Sequence, residues 1–471
     1  MNRIAHAIGR WIGLRFELDD SVGAVLTHPV PAALEGRVGW WYVFGSATLA
    51  MFVVQVATGV GLAMTYVPAP NSAYDSLQFI SHQATLGSVV RGIHYFGGGA
   101  MVVLVLVHMT QVFLFGSYKF PREANWMSGS LLLLATLAMA FTGQLLRWDQ
   151  DAFWSIVVAA EQAARAPVIG TFLASLIVAG QNVGGATLTR FYATHVFLIP
   201  AAIFGLLGVH LYLVVKRGIS EPPVAGERVD PRTYLARYTE LLRRGIPFYP
   251  DAAARDAAVS FIAVVVVIVL AVVAGAPLLG KPPDPTIIVA DPRPDWYFIG
   301  YFALLAIIPK GLESLVIIGL PALAFGFLFL LPLIRPRGER HVSRRPMAVA
   351  VVGLGVLVYG ALTFAGFASN WVPVSTEGAS LPPTVLAGLT ASEAVGAQLF
   401  IRKDCFACHR IAGAGGRRGP DLTVVGARLS RDEIVTTILS GKGQAMPSFA
   451  SAVTPQELAD LVAFLETRSG R

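Results

Sequence analysis

Four histidines sit in two apolar stretches at nearly equal intervals: His94 and His108 are fourteen residues apart, His195 and His210 fifteen. Imidazole is a ligand for iron and other transition metals. At about 3.6 residues per turn, either interval is close to four helical turns, so both histidines of a stretch lie on roughly one face. At about 1.5 Å per residue the two levels stand roughly 21 Å apart, most of a hydrocarbon core about 30 Å thick. Two such stretches facing each other offer two His–His ligand sets, one near each membrane surface. That is the arrangement for two non-covalent b haems stacked as an electron wire. A lone intramembrane histidine can simply hydrogen-bond across helices, although ionisable groups at that depth are functional by default. Two matched pairs are not explained that way.

Gly45 and Gly59, and again Gly129 and Gly143, repeat the fourteen-residue interval. Small residues therefore recur at two heights, where a helix without a Cβ lets a flat porphyrin edge pack against its backbone. Taken alone they would be ordinary helix-packing contacts. Arg91, three residues before His94, is a candidate partner for a haem propionate.

Cys405-Phe406-Ala407-Cys408-His409 is the attachment pattern for a covalent c haem: two thiols add to the porphyrin vinyls and the adjacent imidazole reaches the iron. Cys-x-x-Cys also suits zinc or thiol redox chemistry, but the following His and the lack of any other cysteine speak against both. Met446 is the candidate sixth ligand, because Met/His ligation raises the reduction potential. The Pro420 carbonyl, between them, can accept the His409 Nδ1 proton and fix the ring.

The elements that must hold these groups are membrane helices. The 471 residues are 55% hydrophobic and 14% charged, with mean hydropathy +0.62, values foreign to a soluble domain of this size. Seven spans are predicted, about Trp40–Tyr66, Val89–Phe115, Met127–Leu146, Phe191–Val215, Val259–Leu279, Gly311–Ile334 and Met347–Phe367. The stretch Ala166–Gly180 offers only about fifteen apolar residues and is read as a re-entrant or interfacial helix. The net charge of +7 does not indicate nucleic acid, because the basic residues crowd the short loops. Lys plus Arg number four in residues 1–39, two at Lys119 and Arg122, eight in 216–257 and five in 335–345, against seven on the other side. The positive-inside rule then makes the N-terminus cytoplasmic and delivers the C-terminus, after seven spans, to the opposite face.

The fold class expected is all-α, a polytopic helix bundle with a C-terminal soluble α-helical domain. Residues 1–39 form an amphipathic surface segment around Arg3, Arg10 and Arg15, 40–255 a four-helix dihaem domain and 256–367 a three-helix domain. Residues 368–390, rich in Pro, Ser, Thr and Gly, form a flexible linker, and 391–471 the small soluble domain.

The two histidine pairs, Thr142-Gly143-Gln144-Leu145-Leu146-Arg147-Trp148-Asp149-Gln150, Thr187-Leu188-Thr189-Arg190-Phe191-Tyr192 and Pro294-Asp295-Trp296-Tyr297 resemble cytochrome b of quinol:cytochrome c oxidoreductases. The fifteen-residue second interval and the seven spans are similar to the cytochrome b6 plus subunit IV arrangement, joined here in one chain. Residues 391–467 separately resemble small class I cytochromes c. The resemblance implies quinol oxidation at a positive-side pocket lined by Asp295 and Tyr297, with Asp295 standing where the family commonly has Glu. A partly buried carboxylate there can take a quinol proton. It also implies a Rieske iron–sulfur partner, a soluble or membrane cytochrome c or terminal oxidase as acceptor, and a homodimeric complex amid lipid in a bacterial inner membrane. Asp in this position is a weak pointer to menaquinone. Covalent haem attachment in known families occurs on the periplasmic face, where the charge count also puts the C-terminus. His94 and His195 are then the ligands of the positive-side haem, His108 and His210 of the inner one. A plain electron conduit serving another redox enzyme is the competing reading, but it needs neither the loop tetrapeptide nor Trp148-Asp149-Gln150.

Overall fold

The computed structural model describes residues 27–179, 183–283, 293–368, 380–415, 419–442 and 446–469. The segment around Arg3, Arg10 and Arg15 and the first half of the expected linker lie outside them. The membrane part consists of α1 (Phe44–Ala63), α2 (Ala73–His82), α3 (Gly87–Leu114), α4 (Glu123–Leu145), α5 (Gln150–Ala164), α6 (Gly170–Val178), α7 (Gly185–Arg217), α8 (Tyr234–Arg243), α9 (Ala253–Val273), α10 (Trp296–Ile307), α11 (Lys310–Ile334) and α12 (Pro346–Ala368). Seven of these, α1, α3, α4, α7, α9, α11 and α12, are long and apolar enough to cross a membrane. They stand where hydropathy predicts spans. The nine-residue α6 rises only about 14 Å and cannot cross. It packs on α5 as a short surface helix.

Helices α1 and α3 pack along each other, α4 packs on α7, and α9 lies against α1 and α3. Their shared core is apolar: Met51, Phe52, Met101, Ile203 and Val267 are buried together midway along the bundle. Helix α11 carries Pro321 and Pro332 in its interior. Each proline lacks the N–H that would bond the carbonyl four residues earlier, and in lipid that carbonyl needs another donor. Tyr301 Oη donates to Ile317 O at 2.6 Å and Trp126 Nε1 to Leu328 O at 2.6 Å, so both orphaned carbonyls are satisfied by neighbouring helices.

The loops after α3, α7 and α11 meet in a buried ionic seam at one end of the bundle. Glu221, 7% exposed, accepts from Arg340 Nη1 at 2.7 Å, Arg237 Nη2 at 3.0 Å and Tyr234 Oη at 2.7 Å. Arg122 donates to the carbonyls of Gly218 and Arg217 and lies over the Tyr238 ring, 4.7 Å from its centroid. Lys119 Nζ donates to the carbonyls of Arg335 and Arg337. A buried acid among these bases is tolerated because every partner is hydrogen-bonded. Two-residue strand pairs, Pro29–Val30 with Ile246–Pro247 and Arg228–Val229 with Gly338–Glu339, close the same end.

The soluble domain contains α13 (Pro383–Leu386), α14 (Ala391–Arg402), α15 (Cys405–Cys408), α16 (Arg431–Ser440) and α17 (Pro455–Glu466). Capping boxes start three of them: Thr390 with Glu393, Ser430 with Glu433, Thr454 with Glu457. Phe400, Phe406, Ile411, Leu461 and Phe464 fill its core. Leu381 and Val385 are buried in that core too, so the packed unit reaches back into the stretch expected to be linker. The apolar spacing of Leu381 and Val385 was masked there by prolines and a glycine.

Candidate redox site

Helix α3 supplies His94 and His108, α7 supplies His195 and His210. The second interval is one residue longer, which on a regular helix would rotate the two levels by about 100° relative to α3. The turn Thr194–Leu198, which contains His195, is a π-turn, with Ile199 N–H donating to Thr194 O. A π-turn lodges one extra residue in an α-helix, so fifteen residues with it match fourteen without it. Pro200, directly after the turn, has no N–H to hold the regular ladder.

The His94 and His195 rings face each other with centroids 6.3 Å apart and planes at 80°. Each of the four predicted glycines lies against one histidine. A Cβ on Gly59 would stand 3.2 Å from His94 Cε1, on Gly143 2.7 Å from His195 Cε1, on Gly45 3.2 Å from His108 Cε1 and on Gly129 3.3 Å from His210 Cε1. Within the protein, the close neighbour at each glycine is an imidazole edge. Arg91 is engaged by the protein, donating to Ser81 Oγ at 3.0 Å and Pro277 O at 2.7 Å.

Three hydroxyls that sequence reasoning did not single out set the imidazole tautomers. Thr58 Oγ1 is 2.9 Å from His94 Nδ1, Thr142 Oγ1 3.0 Å from His195 Nδ1 and Ser128 Oγ 2.9 Å from His210 Nδ1. Each hydroxyl donates its own proton to a helix carbonyl, of Val54, Ala138 and Asn125 respectively. It must then accept from Nδ1–H, which leaves Nε2 with a free lone pair. The signal was visible, since each hydroxyl residue immediately precedes one of the four glycines. His108 differs: its Nδ1 is buried without a hydrogen-bond partner, and Phe44 precedes Gly45.

At the His94/His195 end, the start of α10 carries Asp295, its N-cap residue, and Tyr297 in its first turn. Tyr297 Oη donates to Asp295 Oδ2 at 2.5 Å, and its carbonyl accepts from Tyr359 Oη. Burial pushes the Asp295 carboxyl above the ordinary carboxylate range, against the lowering effects of the Tyr297 hydrogen bond and Arg147. Phe298 meets Phe141 of α4, two residues from Gly143, and Gln144 Nε2 reaches Arg293 O at 3.4 Å. Asp149 is fully buried, paired with Arg147 at 2.5 Å and accepting from Gly280 N at 3.0 Å, so the Trp148-Asp149-Gln150 turn anchors the segment that follows α9.

In the soluble domain, His409 Nδ1 lies 2.9 Å from the Pro420 carbonyl, and a Cβ on Gly419 would lie 2.5 Å from the His409 ring. Cys405 and Met446 pack at the border of the core.

Residues 30–218 match the family model Cytochrome b/b6/petB and residues 282–378 the model Cytochrome b(C-terminal)/b6/petD. The cytochrome b subunit of the menaquinol:cytochrome c reductase of Bacillus subtilis is 37% identical over 216 residues, 45% of this chain and 96% of that protein. The chain belongs to the cytochrome b family. Cytochrome b6 of Heliobacterium modesticaldum is 39% identical to this cytochrome b over 198 residues, 42% of this chain and 92% of its own length. A solved "Hyperthermophilic respiratory Complex III" chain superposes with TM-score 0.60 and 26% identity, covering 77% of this chain and 97% of that one. The C-terminal unit, residues 391–465, matches the family model Cytochrome C oxidase, cbb3-type, subunit III.

Membership implies haem, and the residues of this cytochrome b fit it. Among the described residues no three or more His, Cys, Asp or Glu converge on a protein-only metal site. Histidines in twos suit a metal whose other ligands come from a porphyrin. The 6.3 Å between the His94 and His195 rings leaves room for one metal atom with bonds of about 2 Å to each, a length typical of imidazole nitrogen.

Proposed function

We propose that this chain is the cytochrome b subunit of a bc-type quinol:cytochrome c oxidoreductase, with its cytochrome c acceptor fused at the C-terminus. The observation that carries this reading is the half-buried Asp295 carboxylate, hydrogen-bonded to Tyr297 and lying at the His94/His195 end of the bundle. A plain electron conduit has no use for a proton acceptor there.

His94 with His195, and His108 with His210, would hold two b haems; Cys405, Cys408, His409 and Met446 would hold one c haem. When bound, these groups supply one-electron relay positions on both sides of the apolar layer and in the soluble domain. Asp295 accepts the proton of a quinol hydroxyl, and Tyr297 orients its carboxylate. Two electrons leave the quinol, one toward a Rieske iron–sulfur partner and on to the cytochrome c domain, the other inward along α3 and α7 to a second quinone. The name of the Bacillus subtilis relative supports menaquinol as the substrate class. Proton release then falls on the outer face, the N-terminus is cytoplasmic, the soluble domain lies outside a bacterial inner membrane, and the complex is a homodimer.

Asp295→Asn tests the reading. All three haems should remain, with near-normal spectra, while quinol-driven reduction of haem c falls about 10²-fold or more, the scale of general-base loss. Full turnover by that variant, with haem content unchanged, would return the chain to a conduit.

A further inference from the structure

Three of the four membrane imidazoles donate Nδ1–H to a hydroxyl and one does not. Thr58, Ser128 and Thr142 each stand one residue before a histidine-facing glycine; at the fourth such position stands Phe44, and His108 Nδ1 is buried and unpartnered. The neighbouring hydroxyl on the far side of Gly45 does not substitute, because Ser46 Oγ donates to Asp256 Oδ2 at 2.6 Å.

A hydrogen bond from Nδ1 makes an imidazole a more basic ligand, and a more basic ligand favours the oxidised iron. We infer that Phe44, by withholding that bond from His108, raises the reduction potential of the haem that His108 would help hold, relative to the same chain with a hydroxyl at that position. Phe44 is in this sense a positioning residue, acting through His108. The inference rests on the two-haem reading proposed above.

The test is an equilibrium redox titration of the two b haems in the full chain, with haem content measured by pyridine haemochrome. Phe44→Thr should add a hydroxyl in register with Thr58 and lower one haem's potential, whereas Phe44→Leu should leave both potentials in place. Ser128→Ala should raise the potential of the same haem that Phe44→Thr lowers. Thr58→Val and Thr142→Val should together raise only the other. If Phe44→Thr does not accumulate, the remaining three variants decide alone, because Ser128→Ala must move one haem and the two Thr→Val changes the other. Unmoved potentials in variants that keep both haems, or Phe44 and Ser128 acting on different haems, would overturn the inference. Fewer than two b haems in the unaltered chain would instead overturn the reading beneath it.

Discussion

Asp295 and Gly143 are single residues whose roles can be separated by measurement. Because burial raises the Asp295 carboxyl, its base form is lost at a higher pH than an ordinary carboxylate would be. Quinol oxidation should therefore fail on its acidic side above the usual carboxylate range, and the pH profile of the residual rate in Asp295→Asn should lack that limb. An unchanged acidic limb would assign it to another group. Gly143→Ala puts a methyl 2.7 Å from His195 Cε1, and overpacking of this kind costs about 1–3 kcal/mol. One b haem should be lost or weakened, while Gly208→Ala on α7, with nothing within 4 Å of the added carbon, should keep both. The glycines were legible because their fourteen-residue interval copies that of the histidines. What each touches was not, since spacing along a helix gives height but not the neighbour met there. Thr58, Ser128 and Thr142 were overlooked because hydroxyls are common in membrane helices and carry no interval until the glycines beside them are matched to rings.

At the scale of elements, the seven spans and the short α6 were readable from length and hydropathy alone. The π-turn in α7 was not. Fifteen residues could equally have meant two levels rotated apart, and only the backbone tells that the extra residue is absorbed around His195. Deleting Phe197, whose side chain is exposed, should convert the turn to regular α-helix and leave fourteen residues between the histidines. Both b haems should survive by haemochrome content. Loss of either would mean that the π-turn itself aims His195. The carbonyl rescue in α11 was likewise hidden: Pro321 and Pro332 announce two orphaned carbonyls, but not that Tyr301 and Trp126 satisfy them.

Over the whole molecule, the soluble domain has its own core and its own capped helices, so it should fold and bind haem independently of the bundle. Cys405→Ala should abolish covalent haem and leave both b signals, changing the haemochrome ratio from two b to one c into b alone. Simultaneous loss of all three would show the domains to be coupled. Composition made the two parts obvious; the prolines and glycine around Leu381 and Val385 hid how far back the soluble core begins.

The ionic seam also bears on how many polypeptides this bundle needs. With the divide taken after Arg244, Glu221, Arg122 and Tyr234 come from the first part and Arg340 from the second, and the Pro29–Val30 pairing with Ile246–Pro247 crosses the same divide. Covalent continuity between the halves is then dispensable. A chain broken after the exposed Arg244 and expressed as two pieces should reassemble and retain both b haems. In the broken form Arg340→Ala, which leaves Glu221 buried with one cation fewer at a cost of about 3–5 kcal/mol, should prevent assembly. The same substitution in the unbroken chain should lower thermal stability but leave the haems bound, because a tether keeps the local concentration of the second half high. Failure of the pieces to associate would show that the intervening loop, rather than the side chains across the divide, keeps the bundle together.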